Sequence, residues 1–238
     1  LLSPLYLAPA TLVSTGAIWF AVAGLIVPSL SMTLHTASVR TIGPGLTAGL
    51  ASTSPVFALV LAVVLIGEIV TGQTAVGTAV VVCGIAFIAM QSRVGQMSWP
   101  VWAVFLPLGA ALARAVSHNV VKIGLEDLPN PLTGALIASA VSLVLVSVVQ
   151  VAGRQPLPKW NPGYPWFAAC GVLNGLGIVF LNIALSMGDV VVVAPLIATT
   201  PLFTLLIGRL FFRRETLGAR EIAAMLAIFA GCVLIITR

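Results

Sequence analysis

Arg114 and His118 stand four residues apart in the uncharged stretch that surrounds them, from Leu106 to Val121. At that spacing both side chains share one helix face, with Ser117 at its edge. Ionisable groups are costly inside a membrane span, so those that occur there are the first functional candidates. One reading makes the pair a polar stripe, with Arg114 meeting an anionic group such as a carboxylate. The other places Arg114 close enough to its helix end to snorkel to the headgroups. His35 carries a side chain whose ordinary titration range is close to physiological pH, which suits a proton-linked group as well as a packed or interfacial one. Asn174 and Asn182 are eight residues apart on similar faces. Each can bond a substrate, or bond a neighbouring helix at about 0.6 kcal/mol. Trp19 is the most internal tryptophan and a further candidate for contact with a solute.

Other chemistries lack their parts. No acid lies deep in an apolar run, and neither histidine is paired with an aspartate in a loop, so the nucleophile–base and metal-ligand arrangements of an intramembrane enzyme are missing. Cys83, Cys170 and Cys232 are far apart in apolar surroundings, which indicates neither a disulfide framework nor a metal cluster. There is no Gly-rich phosphate loop, so ATP use by this chain is not expected, and no cofactor is implied.

These residues are set in an unusually apolar chain. Of 238 residues, 60% are hydrophobic and 7% are charged, where a soluble domain carries roughly 25% charged residues. A soluble globular protein is excluded, and so is a disordered one, which needs the opposite balance. The net charge of +5 comes from bases scattered singly between apolar runs, a pattern that gives no reason to expect a nucleic-acid partner.

A membrane helix needs about 20 mainly apolar residues. Charges, glycines and prolines divide the chain into eight such spans, near 16–38, 46–67, 73–91, 100–119, 132–152, 164–184, 190–211 and 218–237. None alternates polar and apolar residues as a barrel strand does. Backbone groups in lipid must be paired internally, so these runs are helical. Trp99, Trp102, Trp160, Tyr164 and Trp166 cluster at span edges as an interfacial belt. Gly45-x-x-x-Gly49 and Gly171-x-x-x-Gly175 suit close helix approach. Pro28, Pro55, Pro107, Pro195 and Pro201 fall within spans, where each frees a carbonyl and can kink or hinge its helix.

The chain repeats itself. Thr53-Ser54-Pro55-Val56-Phe57 matches Thr199-Thr200-Pro201-Leu202-Phe203, and Gly67-Glu68 matches Arg214-Glu215. Gly84 and Gly231 each follow their glutamate by sixteen residues, and Ala37 and Ala184 each precede it by 31. The first repeat occupies 1–95 and shows three complete spans; the second occupies 96–238 and shows five. By analogy with the second copy, the first lacks its opening ~48 residues, about two helices. Five helices per copy make the copies face opposite ways, and inverted repeats are characteristic of transporters that rock around a midplane site. Glu68 and Glu215 sit at span ends, where a carboxylate can cap the N–H groups opening the next helix. A gating role is the alternative.

The pattern Ala…Pro-x-Phe…Gly-Glu…Gly, occurring twice, resembles the drug/metabolite transporter superfamily, most closely its EamA-like branch. Residues carrying the resemblance are Ala37, Gly43-Pro44, Pro55-Val56-Phe57, Gly67-Glu68, Gly77 and Gly84, then Ala184-Leu185, Pro195, Pro201-Leu202-Phe203, Glu215 and Gly231. Arg214 departs from the Gly usual before the glutamate, and Pro201 to Glu215 is one residue longer than Pro55 to Glu68. The resemblance implies an all-α membrane fold of two inverted five-helix repeats. It also implies transport of small organic metabolites or drug-like compounds by alternating access in the cell (inner or plasma) membrane, with coupling to protons or another gradient. The lipid bilayer and a small solute are the implied partners, and a homodimer is a compatible assembly.

Arg114 directs the expectation toward export of amino-acid-like or organic-acid solutes. A nucleotide-sugar or sugar carrier on the same fold wants more basic residues facing the site, and a cationic-drug exporter wants a carboxylate inside a span. A non-transporting membrane protein is a further alternative, which needs no pseudo-symmetry. Loop charges put eight Lys and Arg residues on one side and two on the other. The positive-inside rule then places the C-terminus outside, against the topology the resemblance implies, and orientation stays open.

Overall fold

The computed structural model describes residues 14–91, 100–153, 161–200, 203, 207 and 219–237. The described residues are almost entirely helical, in ten α-helices. They are α1 (Thr15–Gly24), α2 (Ser31–Ile42), α3 (Pro44–Ala51), α4 (Ser54–Leu61), α5 (Gly72–Gln91), α6 (Phe105–Asp127), α7 (Pro131–Ala152), α8 (Tyr164–Met187), α9 (Val190–Ile197) and α10 (Ala219–Ile236). Five continuous runs are long and apolar enough to cross a membrane: Thr15–Ile42, Leu46–Ile66, Trp102–Asp127, Pro131–Ala152 and Tyr164–Met187. Gly72–Phe87 and Ala223–Ile236 are shorter apolar helices. Pro201 and Glu215, with most of the seventh expected span beyond Thr200, lie outside the described residues, as do Trp99 and Trp160.

Prolines break the helices where local sterics require it. Val27, just before Pro28, has φ −129° and ψ 129° and interrupts the first span between α1 and α2, because a proline disfavours helical geometry in the residue before it. Pro55 opens α4 after the Ser52–Thr53 turn, so the second span is two helices in series. Pro107 lies in the first turn of α6, just after a 3-10 turn at Val101–Val104, where its missing N–H has no helical partner to lose. Pro195 sits inside α9, two residues before that helix ends at Ile197.

One boundary departs from the sequence reading in a way that matters for the site. The fourth span does not stop near 119; α6 continues to Asp127. Lys122 does not end the helix, because its Nζ donates to the carbonyls of Leu185 (3.0 Å) and Gly188 (2.8 Å). The ammonium thereby meets the unpaired carbonyls and the negative end of α8. The helix stops instead before Pro129-Asn130-Pro131, where the Asn130 side chain accepts from Thr133 N–H and starts α7.

Contacts divide the chain into two units. One takes the described residues up to Ser29 together with Val120–Gly188; the other takes Leu30–Asn119 with the described residues from Asp189 onward. In the first unit, α1 packs against α7 with almost no space between backbones. A Cβ on Gly24 would overlap the Ala138 carbonyl, and one on Gly134 would fall 2.6 Å from the ring of the fully buried Phe20. Gly24→Val therefore forces the helices apart at a cost of ~3 kcal/mol. We expect a lower melting temperature in detergent, with Gly24→Ala intermediate; unchanged melting of both variants would refute this packing. The Asn182 amide donates to Pro131 O (3.2 Å) and ties α8 to α7.

The second unit is centred on α5 and α10. They run antiparallel: Gly77 lies against Gly231 and Ile235, and Gly84 against Ile228 and Ala224. A Cβ on Gly77 would come 2.8 Å from Gly231 O, and one on Gly231 2.9 Å from Gly77 O. Under the repeat that maps Glu68 on Glu215, Gly77 maps on Ala224, Val81 on Ile228 and Gly84 on Gly231. The Gly77–Gly231 contact and the Ala224–Gly84 contact are thus repeat mates, and the fully buried Val81 and Ile228 share the core between them with Ile85 and Ile235. By contrast Gly171 and Gly175, expected from their spacing to permit close approach, have no neighbour within 4 Å among the described residues.

Candidate functional site

Arg114, His118 and His35 all belong to the second unit. Helix α6 carries the first two, and α2 carries His35. Hydroxyls lock α6 against its neighbours in that unit. Ser31 Oγ donates to Ala110 O (3.1 Å) from α2, and Ser54 Oγ donates to Ala111 O (3.1 Å) from α4. Asn119 Nδ2 donates to Ala58 O (3.2 Å) and to Ala115 O (2.9 Å). Along α6, Ala110, Ala111, Ala113, Ala115, Ser117 and Asn119 are buried. These bonds join α2 and α4 to the stretch of α6 that carries Arg114.

Arg114 is nine residues from the start of α6 and thirteen from its end. At 1.5 Å per residue that is roughly 13 Å and 20 Å of helix, more than an arginine side chain spans. Arg114 Nε and Nη2 are buried and have no hydrogen-bond partner among the described residues, and His118 Nδ1 and His35 Nδ1 are in the same condition. His118 shares the Arg114 face of α6 one turn on, and His35 lies one turn after Ser31, which is bonded to Ala110 one turn before Arg114. Among the residues whose side chains are described, no carboxylate pairs with Arg114, and four acids there are committed or placed at helix ends. Glu68 binds a helix end, Glu126 and Asp127 are exposed at the end of α6, and Asp189 precedes α9.

Native proteins rarely leave buried polar atoms unpaired. Nε–H and the N–H on Nη2 point along one edge of the guanidinium and form a two-donor fork that fits a carboxylate or another oxyanion side-on. A buried cation with an open fork and two idle imidazole nitrogens nearby is suited to bind an anion. Thr78 Oγ1 on α5 and Asn119 Oδ1 are the other unpaired buried oxygens in this unit. The sequence gave no sign of Asn119, because its role depends on where α4 lies.

The remaining candidates, Trp19, Asn174 and Asn182, belong to the first unit. Trp19 packs beside Gly124, Asn182 is buried in its bond to Pro131, and Asn174 is exposed on α8.

Glu68 caps a different helix from the one expected. Gly67, at φ 77° and ψ 22°, turns the chain sharply after Ile66, a conformation that favours glycine. Glu68 then reaches α9 of the second repeat: Oε1 accepts from Val190 N–H (2.8 Å) and Oε2 from Val191 N–H (2.9 Å). The start of α5, which follows Glu68 in sequence, is served by Thr71 instead, whose Oγ1 accepts from Thr74 N–H. Both carboxylate oxygens are thus committed to a positive helix end. Glu68→Ala removes two charge-assisted bonds and should cost ~2 kcal/mol. Glu68→Gln, which keeps one acceptor, should cost about half as much. Equal melting temperatures for wild type and Glu68→Ala would show that the cap contributes nothing.

The fold and its repeat have known counterparts. The profile of the EamA-like transporter family matches residues 1–90 and again 101–237. A solved structure titled only "Crystal structure of protein" superposes with a TM-score of 0.76 at 15% identity, covering 94% of this chain and 77% of that one. At that identity the likeness is one of fold. No curated protein matches in sequence. The chain belongs to the EamA-like transporter family. It is a multi-pass membrane protein and a transporter of small solutes.

Proposed function

We propose that this chain moves small organic anions across the cell membrane by alternating access, in the export direction, and that Arg114 is the anion-binding residue. The observation that supports this most directly is the Arg114 guanidinium, buried at Nε and Nη2 without a partner among the described residues. An uncompensated buried charge is costly, and an arriving oxyanion supplies the missing counter-charge and two hydrogen bonds at once. His118 and His35 complete the site as polar neighbours of the guanidinium. The repeats 1–95 and 96–238 are the two inverted halves that alternate around it. No part of the proposal requires a cofactor or a catalytic residue.

The test is counterflow in proteoliposomes containing the purified chain. A labelled carboxylate outside should accumulate when the same unlabelled acid is loaded inside, while a quaternary amine and a neutral sugar should not. Accumulation of the amine or the sugar without the carboxylate would reject the anion reading. It would restore the cationic-drug or sugar-carrier alternative.

A further inference from the structure

The polar groups around Arg114 are unevenly supplied, and the imbalance narrows the substrate class. Resting on the anion reading above, we propose that the site selects carboxylates bearing an uncharged hydroxyl or oxo group on the adjacent carbon, 2-hydroxy and 2-oxo acids, over the amino acids of the same skeleton.

The carboxylate is accounted for by the open Nε/Nη2 edge of Arg114. The group on the next carbon then meets the surroundings of the guanidinium: His118 shares its face of α6 one turn on, His35 lies one turn after Ser31, which is bonded to Ala110 one turn before Arg114, and the Nδ1 atoms of both are buried and unpaired among the described residues. An imidazole nitrogen donates to or accepts from a hydroxyl, and donates to an oxo group. Either substituent satisfies a nitrogen that is otherwise idle.

An ammonium group fares differently. It brings three donors and a second positive charge beside a permanent one; an idle imidazole nitrogen can accept one of its protons, but only a carboxylate offsets the added charge. The two carbonyls on the same stretch of α6, Ala110 O and Ala111 O, already take protons from Ser31 and Ser54 in addition to their helical bonds. Asn119 Oδ1 is unpaired, but five residues along a helix places it roughly 140° round from Arg114. Its amide is held toward Ala58. Glu68, Glu126, Asp127 and Asp189, the acids whose side chains are described, do not pair with Arg114. Among the residues whose side chains are described, the site therefore offers donors and imidazole but no counter-charge for a second cation, and juxtaposed like charges are strongly disfavoured.

The experiment measures binding of matched sets to the purified full chain in nanodiscs by calorimetry. Each set contains the 2-hydroxy acid, the 2-oxo acid, the amino acid, the unsubstituted acid and the amide of the hydroxy acid, built on methyl, isobutyl and carboxymethyl side chains. For at least one side chain the hydroxy or oxo acid should bind about 10-fold tighter than the unsubstituted acid and about 100-fold tighter than the amino acid. The hydroxy amide should not bind. His118→Leu or His35→Leu should reduce the 10-fold advantage to within about 2-fold, read as the ratio of hydroxy acid to unsubstituted acid within the same variant. An amino acid that binds as well as its hydroxy counterpart overturns this inference and leaves the anion reading standing. So does a hydroxyl advantage that survives both histidine variants. Binding by no acid in any set, or equal binding of acid and amide, overturns the anion reading itself.

Discussion

Arg114→Ala should lower transport of a carboxylate substrate about 100-fold, equivalent to ~3 kcal/mol, the usual scale for truncating one member of a buried charge pair. Expression and melting temperature should change little, or rise, because the variant removes a buried charge that has no counter-ion in the substrate-free protein. Arg114→Lys is the more discriminating variant. It keeps the charge and replaces the planar two-donor edge with a single ammonium, so it should recover no more than a tenth of wild-type transport. Full activity in Arg114→Lys would show that charge alone suffices and that the Nε/Nη2 edge has no role. Full activity in Arg114→Ala would return this residue to a structural place in the fold.

The second large effect is on the fold. Gly231→Leu inserts a branched side chain where a Cβ alone would stand 2.9 Å from the Gly77 carbonyl and 2.9 Å from Val81. Backbone cannot yield as a flexible side chain can, so α5 and α10 must separate, at a cost of ~3 kcal/mol. Most of the protein should be lost to aggregation during extraction. Gly77→Leu, on the other side of the same contact, should behave alike, and the double variant should cost less than the sum because one separation accommodates both. Gly171→Leu is the control: with no neighbour within 4 Å among the described residues, it should leave melting within about 2 °C of wild type. If Gly231→Leu melts like Gly171→Leu, the α5–α10 packing is wrong.

Local rules account for much of the architecture. Proline chemistry located the break at Val27 and the restart of α4 at Pro55, because those effects lie within one or two residues of the proline. The apolar runs located the spans, and the sixteen-residue spacing of glutamate to glycine in each copy identified the two glycines that later proved to line the α5–α10 contacts. What sequence reasoning missed depends on partners distant along the chain. The fourth span was expected to end near 119, but the carbonyls of Leu185 and Gly188 give the Lys122 charge a place inside the fold and the helix runs on. Glu68 looked like a cap for the following helix, yet the N–H groups it meets are 122 and 123 residues away.

The site was partly legible for the same reason. The four-residue spacing of Arg114 and His118 predicts a shared face, and no tertiary information is needed for that. His35 could be placed near them only after α2 was seen beside α6. The open edge of the guanidinium was beyond the sequence altogether, because which nitrogens stay unpaired is decided by every neighbouring element together. Asn174 and Asn182 show the limit of the periodicity argument. Eight residues give them similar faces on α8, yet one is exposed and the other is buried in a bond to Pro131.

The account rests on contact between the Arg114 guanidinium and the substrate, and nitrogen NMR of the arginine Nε–H groups reads that contact directly. The Arg114 resonance is assigned as the one absent from Arg114→Lys. Adding a transported carboxylate should move that signal downfield with the same concentration dependence as transport, and leave the other arginine signals in place. A carboxylate that saturates transport without moving the Arg114 signal would contradict the central claim.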